Sequence, residues 1–190
     1  MILYLHGFNS GPASHKAGLL KAYMEARGQG HRFVCPALPH RPDDAARAIG
    51  AALAGSDPSR LTFVGSSLGG YYATWFTESL GARAVLINPS IRPYAGLETM
   101  LGMQKNLYTG EEYELTRAHL DGWRSLEVER IDPERYLVLL ETGDEVLDWR
   151  QAARKYEGAR MAIRDGGDHT LQSFPEHLPR VLRFAGLEAA

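Results

Sequence analysis

Short, nearly unbroken apolar runs recur along the chain, at Ile2 to His6, Phe33 to Cys35, Leu61 to Val64, Ala84 to Ile87, Tyr136 to Leu140 and Arg160 to Ile163. They are rich in Val, Ile, Leu and aromatic residues and alternate little with polar ones, as do strands covered on both faces of a parallel sheet. Between them, helix-like segments run over Ser14 to Arg27, Asp43 to Leu53, Leu68 to Leu80, Trp149 to Tyr156 and Glu176 to Phe184. In the first of these, Leu19, Leu20, Tyr23 and Met24 recur at helical spacing, with Ser14 placed to cap the start and Gly28 the end. Strands that alternate with helices need crossover connections, so the pattern predicts a helix-covered parallel sheet.

One stretch breaks the rhythm. Ile91 to Pro133 carries no strand signal and turns polar, with Glu111, Glu112, Glu114, Arg117, Glu127, Glu129 and Arg130. Tyr94, Met100, Met103, Tyr108, Tyr113 and Trp123 are scattered through it. A structureless loop of that length does not suit a compact domain. The expectation is a single domain over 1–190 in which 91–133 forms short helices after the fourth strand. They would serve either as a lid over a site or as ordinary packing helices.

Composition narrows the classes. The chain has 190 residues with 21 Lys plus Arg against 23 Asp plus Glu, a formal net charge of −2. That balance argues against nucleic acid as the main partner, since phosphate binding shows as a clustered basic excess. A hydrophobic fraction of 44% in a chain this long supports a full core without disulfides or structural metals. With Cys35 as the single cysteine, neither an internal disulfide nor a zinc ribbon or redox Cys pair can form. No basic segment precedes the first apolar run, and no run approaches the roughly 18 residues of a membrane span. A cytoplasmic protein without a membrane span is expected.

Gly65-Ser66-Ser67-Leu68-Gly69 is a G-x-S-x-G string centred on Ser67. A chain of this glycine content meets the string by chance about one time in ten, so its context has to decide. Leu61 to Val64 ahead of it reads as a strand and Leu68 to Phe76 behind it as a buried helix. That is the sharp strand-to-helix turn that exposes a nucleophilic hydroxyl and bars side chains two positions to either side. The following helix turns its amide-rich end toward the site, where it favours developing negative charge. Ser66 lacks glycine at both flanks, which leaves Ser67 as the candidate nucleophile.

A serine hydroxyl needs a histidine to take its proton and a carboxylate to orient that histidine. In hydrolases with this turn the order is Ser, acid, His. Of seven histidines, only His169 and His177 follow the last strand. His169 lies in the turn-forming string Asp165-Gly166-Gly167-Asp168-His169, whereas His177 falls inside a helix and is expected to face solvent. For the acid, Glu141 to Asp148 follows the Tyr136 to Leu140 strand. Asp144 lies nearest the strand end, with Glu145 and Asp148 as rivals, and Asp148 suits the cap of the helix from Trp149.

Acyl transfer also requires two amide donors for the oxyanion, one of them the N–H after the nucleophile, here Leu68. The strand Ile2 to Leu5 runs into His6-Gly7-Phe8, where Gly7 lets the Phe8 amide turn toward the site. His6 is expected to bind neighbouring loops and not to act as a base. Gly7, Gly11 and Lys16 fail the spacing of a phosphate-binding loop, and His6, His15 and His40 lack metal-ligand spacing. Neither cofactor nor metal is expected.

Three strings, Tyr4 to Ser10, Val64 to Thr74 and Thr142 to Asp148, together resemble the bacterial YqiA/YcfP-like esterases, small members of the α/β-hydrolase superfamily. Asn88 to Pro93 and Asn106 to Gly110 fit as well, so the resemblance spans nearly the whole chain. It implies Ser67 as nucleophile, Asp144 as acid and His169 as base. Asp168 departs from it, putting a carboxylate where a neutral Asn is expected. The fold expected is a three-layer α/β-hydrolase with a mostly parallel six-stranded sheet in the order 2-1-3-4-5-6. The expected activity is hydrolysis of a small-molecule carboxylic ester through an acyl-Ser67 intermediate. An acyl-CoA or acyl-carrier thioesterase is the nearest alternative, and a non-catalytic protein-binding module on the same fold is the alternative from another class.

Overall fold

The computed structural model describes residues 1–188. The chain opens with β1 (Ile2–Leu5), α1 (His15–Glu25), β2 (Phe33–Val34), α2 (Pro42–Ala52), β3 (Thr62–Ser66), α3 (Leu68–Leu80) and β4 (Arg83–Ile87). The 91–133 segment follows, with α4 (Pro93–Gly96), β5 (Gly102–Lys105), β6 (Glu112–Leu115) and α5 (Arg117–Arg124). The chain then returns through β7 (Tyr136–Glu141), α6 (Trp149–Lys155), β8 (Arg160–Arg164) and α7 (Phe174–Phe184). Six strands form one sheet in the order β2-β1-β3-β4-β7-β8, with every neighbouring pair parallel. Counted along the sheet-forming strands alone, this is the expected order.

Strand side chains alternate between two cores. Leu3, Leu5, Phe63, Leu86 and Val138 face one layer with α2, α3 and α5. Ile2, Tyr4, Val64, Val85 and Leu137 face the other, against α1 and α7. Both faces are buried along the four central strands β1, β3, β4 and β7, which explains their continuous apolar runs, whereas the edge strands β2 and β8 are partly exposed. Helix α1, at 11 residues, is too short to persist alone in water. Burial of Ala17, Leu20 and Met24 holds it, at about 1.5–3 kcal/mol for each fully buried large apolar side chain.

The two helix caps expected from the sequence have different outcomes. The Asp148 carboxylate accepts from Arg150 N–H and starts α6, as expected. Ser14 occupies the N-cap position of α1, but its side chain makes no capping bond, and its buried hydroxyl has no partner among the described residues. The same helix ends at Glu25, before Arg27, and a turn through Gly28 at φ 70° follows.

The 91–133 segment is not wholly helical. β5 and β6 pair antiparallel as a hairpin separate from the main sheet. Tyr113 and Leu115 are buried while Glu112 and Glu114 face out. This period-two signal lasts only two cycles inside a polar stretch. Two anchors fix the segment. Trp123, fully buried in α5, donates from Nε1 to Tyr72 Oη at 2.7 Å, and its carbonyl accepts from Tyr71 Oη at 2.6 Å. At the other end the hairpin grips the loop after β1, through Leu107 N–H to Asn9 O (3.3 Å), Asn106 Nδ2 to Ser10 O (3.0 Å) and Tyr113 Oη to Asn9 Oδ1 (2.7 Å). No helix among the described residues is long and apolar enough to cross a membrane.

Candidate active site

Ser67 stands between β3 and α3 at φ 55° and ψ −120°, a region that a residue with a Cβ enters only under strain. Its backbone is pinned on both sides, with N–H donating to Ile87 O and O accepting from Ser90 N–H, each at 3.0 Å. The flanking glycines have steric reasons. A Cβ on Gly65 would lie 2.4 Å from Gly69 O, and one on Gly69 would lie 2.0 Å from Leu5 O. A Cβ on Gly70 would meet Pro89 Cβ at 2.7 Å. The close approach of α3 to the ends of β1 and β4 thus depends on positions without side chains.

His169 Nε2 lies 3.0 Å from Ser67 Oγ, and His169 Nδ1 lies 2.8 and 2.9 Å from the two oxygens of Asp144. With the Asp144 carboxylate accepting at Nδ1, the ring's Nε2 lone pair is directed at the serine hydroxyl. The Asp144 side chain is 1% exposed. Its Oδ1 also accepts from Val146 N–H (2.9 Å) and Leu147 N–H (2.8 Å). Burial alone would raise its pKa, but the His169 hydrogen bond and these two amides outweigh burial and hold the carboxyl below its usual range. Gly143 permits the turn, since a Cβ there would stand 2.4 Å from Gly167 O.

The rival residues have other partners. Asp148 caps α6, and Glu145 Oε2 accepts from the backbone N–H of His169 at 3.0 Å. His177 is half-buried and lies 3.4 Å from Ser173 Oγ, so it does not simply face solvent. His6 Nε2 accepts from Leu38 N–H at 3.1 Å, which leaves its Nδ1–H to donate to Gly7 O. The Asp168 carboxylate is taken up by Thr170 and Gln172. Burial pushes the Cys35 thiol up to about 12, which makes it a poor nucleophile at neutral pH.

Phe8 and Leu68 flank the serine. Leu68 is the first residue of α3, where the N–H has no intrahelical acceptor. Among the described residues, Phe8 N–H has no backbone acceptor either. The loop carrying Phe8 touches the serine through Gly7, where a Cβ would sit 3.4 Å from Ser67 Cβ. A cavity of about 580 Å³ opens over Ser67 and His169, with Phe8, Leu68, Pro93, Leu97, Met100 and Leu147 in its wall.

Beneath the His169 loop lies a group that sequence reading missed. Glu141 is 1% exposed, and its carboxylate accepts from Asp168 N–H (2.9 Å), Gln172 N–H (3.0 Å), Ser173 N–H (2.9 Å) and Ser173 Oγ (2.6 Å). Asn88 completes the support, donating from Nδ2 to the carbonyls of Asp168 and His169 and accepting from Glu141 N–H at Oδ1. Burial works to raise the Glu141 pKa, but the Ser173 hydroxyl and the three amides prevail, so it stays below its usual 4.5. The folded state therefore releases this proton more readily than the unfolded chain. The resulting stability is present above about pH 4.5 and fades as pH falls through the lower folded value.

Glu141→Gln is accordingly expected to lower stability at pH 7 by about 1.5–3 kcal/mol, the range for hydrogen bonds to charged groups. It should also flatten the acid limb of a plot of thermal midpoint against pH. Wild-type and variant curves running parallel from pH 7 to pH 3 would contradict this role.

Known proteins place this geometry in context. The model of an uncharacterised protein family, UPF0227, matches residues 1–186. UPF0227 protein YcfP of Salmonella gallinarum is 25% identical over 189 residues, covering 98% of this chain and 99% of that protein. The UPF0227 protein ECA1814 of Pectobacterium atrosepticum is 28% identical over 193 residues, with the same coverage. Among solved structures, Est1E from Butyrivibrio proteoclasticus superposes with a TM-score of 0.70 at 11% identity, over 98% of this chain and 88% of that one. A structure of the metagenome-derived lipolytic enzymes LipS and LipT does so with a TM-score of 0.70 at 18% identity, over 98% and 93%. Alpha/beta hydrolase domain-containing protein 10 from mouse gives 0.69 at 14% identity, over 96% and 87%. The chain has the α/β-hydrolase fold, and it belongs to the UPF0227 family.

Proposed function

We propose that the chain is a serine hydrolase of carboxylic esters, with Ser67, His169 and Asp144 as its catalytic triad. One observation carries this reading: an unbroken chain of hydrogen-bonding distances from Ser67 Oγ through the His169 ring to a buried Asp144. Strain at a serine persists only where the surroundings over-determine it, and it clusters at functional sites. A module that only binds a partner has no use for it.

In the proposed reaction His169 Nε2 takes the Ser67 proton as Oγ attacks the ester carbonyl. Asp144 stabilises the imidazolium and remains ionised. The Leu68 and Phe8 amides hold the oxyanion, where donors of this kind contribute about a hundred- to a thousandfold each in kcat. The imidazolium then protonates the departing alcohol, and an acyl-Ser67 ester remains. A water, deprotonated by the same ring, attacks the acyl-enzyme, releasing the carboxylic acid and restoring Ser67.

The apolar wall formed by Phe8, Pro93, Leu97, Met100 and Leu147 suits an aliphatic acyl group. It also supports a second reading, an acyl thioesterase. The 93–108 part of the inserted segment is proposed as the cap over this pocket. A chain-length series of p-nitrophenyl esters set against the matching CoA thioesters tests the function. Turnover of the oxygen esters supports the first reading, strong preference for the thioesters supports the second, and no turnover of either contradicts both.

The grip of the hairpin on the loop after β1 has a consequence for rate. Asn9 adopts φ 51°, and its side chain is held by Tyr113 Oη and donates to Gln104 Oε1. Tyr113→Phe removes one hydrogen bond next to the Phe8 amide. It is expected to lower kcat by about tenfold, as the loss of roughly 1 kcal/mol or slightly more implies, with KM nearly unchanged. An unaltered kcat would show that the Phe8 amide does not depend on the hairpin.

A further inference from the structure

The wall of the cavity over Ser67 is uneven in charge. Apolar residues from α4 and from the loop after β7 line part of it, while the start of α1 contributes Ser14, His15 and Lys16. Lys16 is the only Lys, Arg, Asp or Glu in that lining. Asp168, Glu141 and Asp144 are the carboxylates that act on its charge; each is hydrogen-bonded elsewhere, Asp168 to Thr170 and Gln172, Glu141 to the amides of the His169 loop and Asp144 to His169.

Lys16 Nζ donates one hydrogen bond, to Thr170 O at 2.8 Å, one residue beyond His169. An ammonium carries three hydrogens, so two remain for a ligand in the cavity. The cavity therefore joins an apolar surface to a cation that has no salt-bridge partner among the described residues, both beside Ser67.

We infer that Lys16 forms an anion subsite and that the substrate is an ester with an aliphatic part and a carboxylate or phosphate group. This rests on the serine hydrolase reading and narrows it. The ester carbonyl sits at Ser67, the aliphatic part lies along Leu97, Met100 and Leu147, and the anionic group reaches Lys16 Nζ.

Matched pairs of esters that differ only in that charge test the subsite. On the acyl side the pair is p-nitrophenyl hemiglutarate and its neutral methyl diester. On the alcohol side it is 4-butyryloxybenzoate and the corresponding benzamide. For each pair the ratio of kcat/KM, anionic over neutral, is compared between the wild type, Lys16→Met and Lys16→Gln. Comparing ratios cancels both the intrinsic reactivity of the esters and any shift of Thr170 caused by the variant. Gln keeps a donor for Thr170 O but lacks the charge.

In at least one pair the ratio is expected to fall about ten- to a hundredfold in both variants, the range that hydrogen bonds to charged groups contribute. The pair that responds identifies the side of the ester that carries the anion. Ratios within twofold of wild type in both pairs overturn the subsite. Failure of the underlying reading looks different: wild-type protein then turns over none of the four esters, the neutral ones included.

Discussion

Ser67→Ala is expected to lower kcat/KM for a neutral p-nitrophenyl ester by roughly ten-thousand- to a million-fold, the effect of removing a triad nucleophile. The variant should stay folded. Its backbone hydrogen bonds to Ile87 and Ser90 do not use the side chain, and alanine meets the same strain at φ 55° as serine does. Some rate above that in water should survive, because the Leu68 and Phe8 amides and the apolar wall still bind and polarise the carbonyl. Steady-state kinetics with purified variant and wild type measure the loss. Turnover within tenfold of wild type would mean that the hydroxyl 3.0 Å from His169 does not form the acyl-enzyme.

The second large effect concerns stability. Gly69→Ala puts a methyl group 2.0 Å from Leu5 O, 2.5 Å from Leu5 C and 2.7 Å from His6 O. None of these belongs to a flexible side chain that could step aside, so either β1 or the first turn of α3 must move. The expected loss is about 3 kcal/mol or more, at or beyond the upper end for overpacking. At about 2–4 °C per kcal/mol for a chain of this size, the thermal midpoint should fall by roughly 6–12 °C. Activity should drop with it, because the same contact sets the distance between the Phe8 loop and Ser67.

Gly18→Ala is the counterpart. Gly18 lies inside α1 with no atom near its would-be Cβ, and the change should raise stability by up to about 1 kcal/mol through helix propensity. Thermal denaturation of the two variants side by side checks both signs. A Gly69→Ala protein as stable as wild type would refute the close packing described for the turn.

The two glycines also show where sequence reading ends. Both stand within helical stretches, and only the neighbour across space, Leu5 O in one case and open solvent in the other, separates them. The parallel sheet was legible because its four central strands are buried on both faces and leave unbroken apolar runs. The turn at Ser67 was legible because steric exclusion writes glycines at fixed offsets. Asp148 was assigned to the helix cap correctly, since capping is a local matter.

The hairpin of 102–115 was not legible. With four residues in each strand and one wet face, Tyr113 and Leu115 among glutamates leave too short an alternation to stand out. Glu141 was missed for another reason. Its four donors come from residues 27 to 32 positions later in the chain, and nothing beside it marks a carboxylate that will be buried. Ser14 read as a cap on the same local logic that succeeded for Asp148, but its side chain makes no capping bond.

The central claim is that Ser67 is activated by His169, and the most direct measurement is covalent. A fluorophosphonate reacts with a serine whose proton is being withdrawn and leaves ordinary serines alone. Intact-mass spectrometry of the treated wild type is expected to show a single adduct, which peptide mapping places on Ser67. The adduct should be absent from Ser67→Ala and strongly slowed in His169→Ala, both checked for folding by circular dichroism. An unmodified wild type, an adduct at another residue, or labelling of His169→Ala at the wild-type rate would contradict the account.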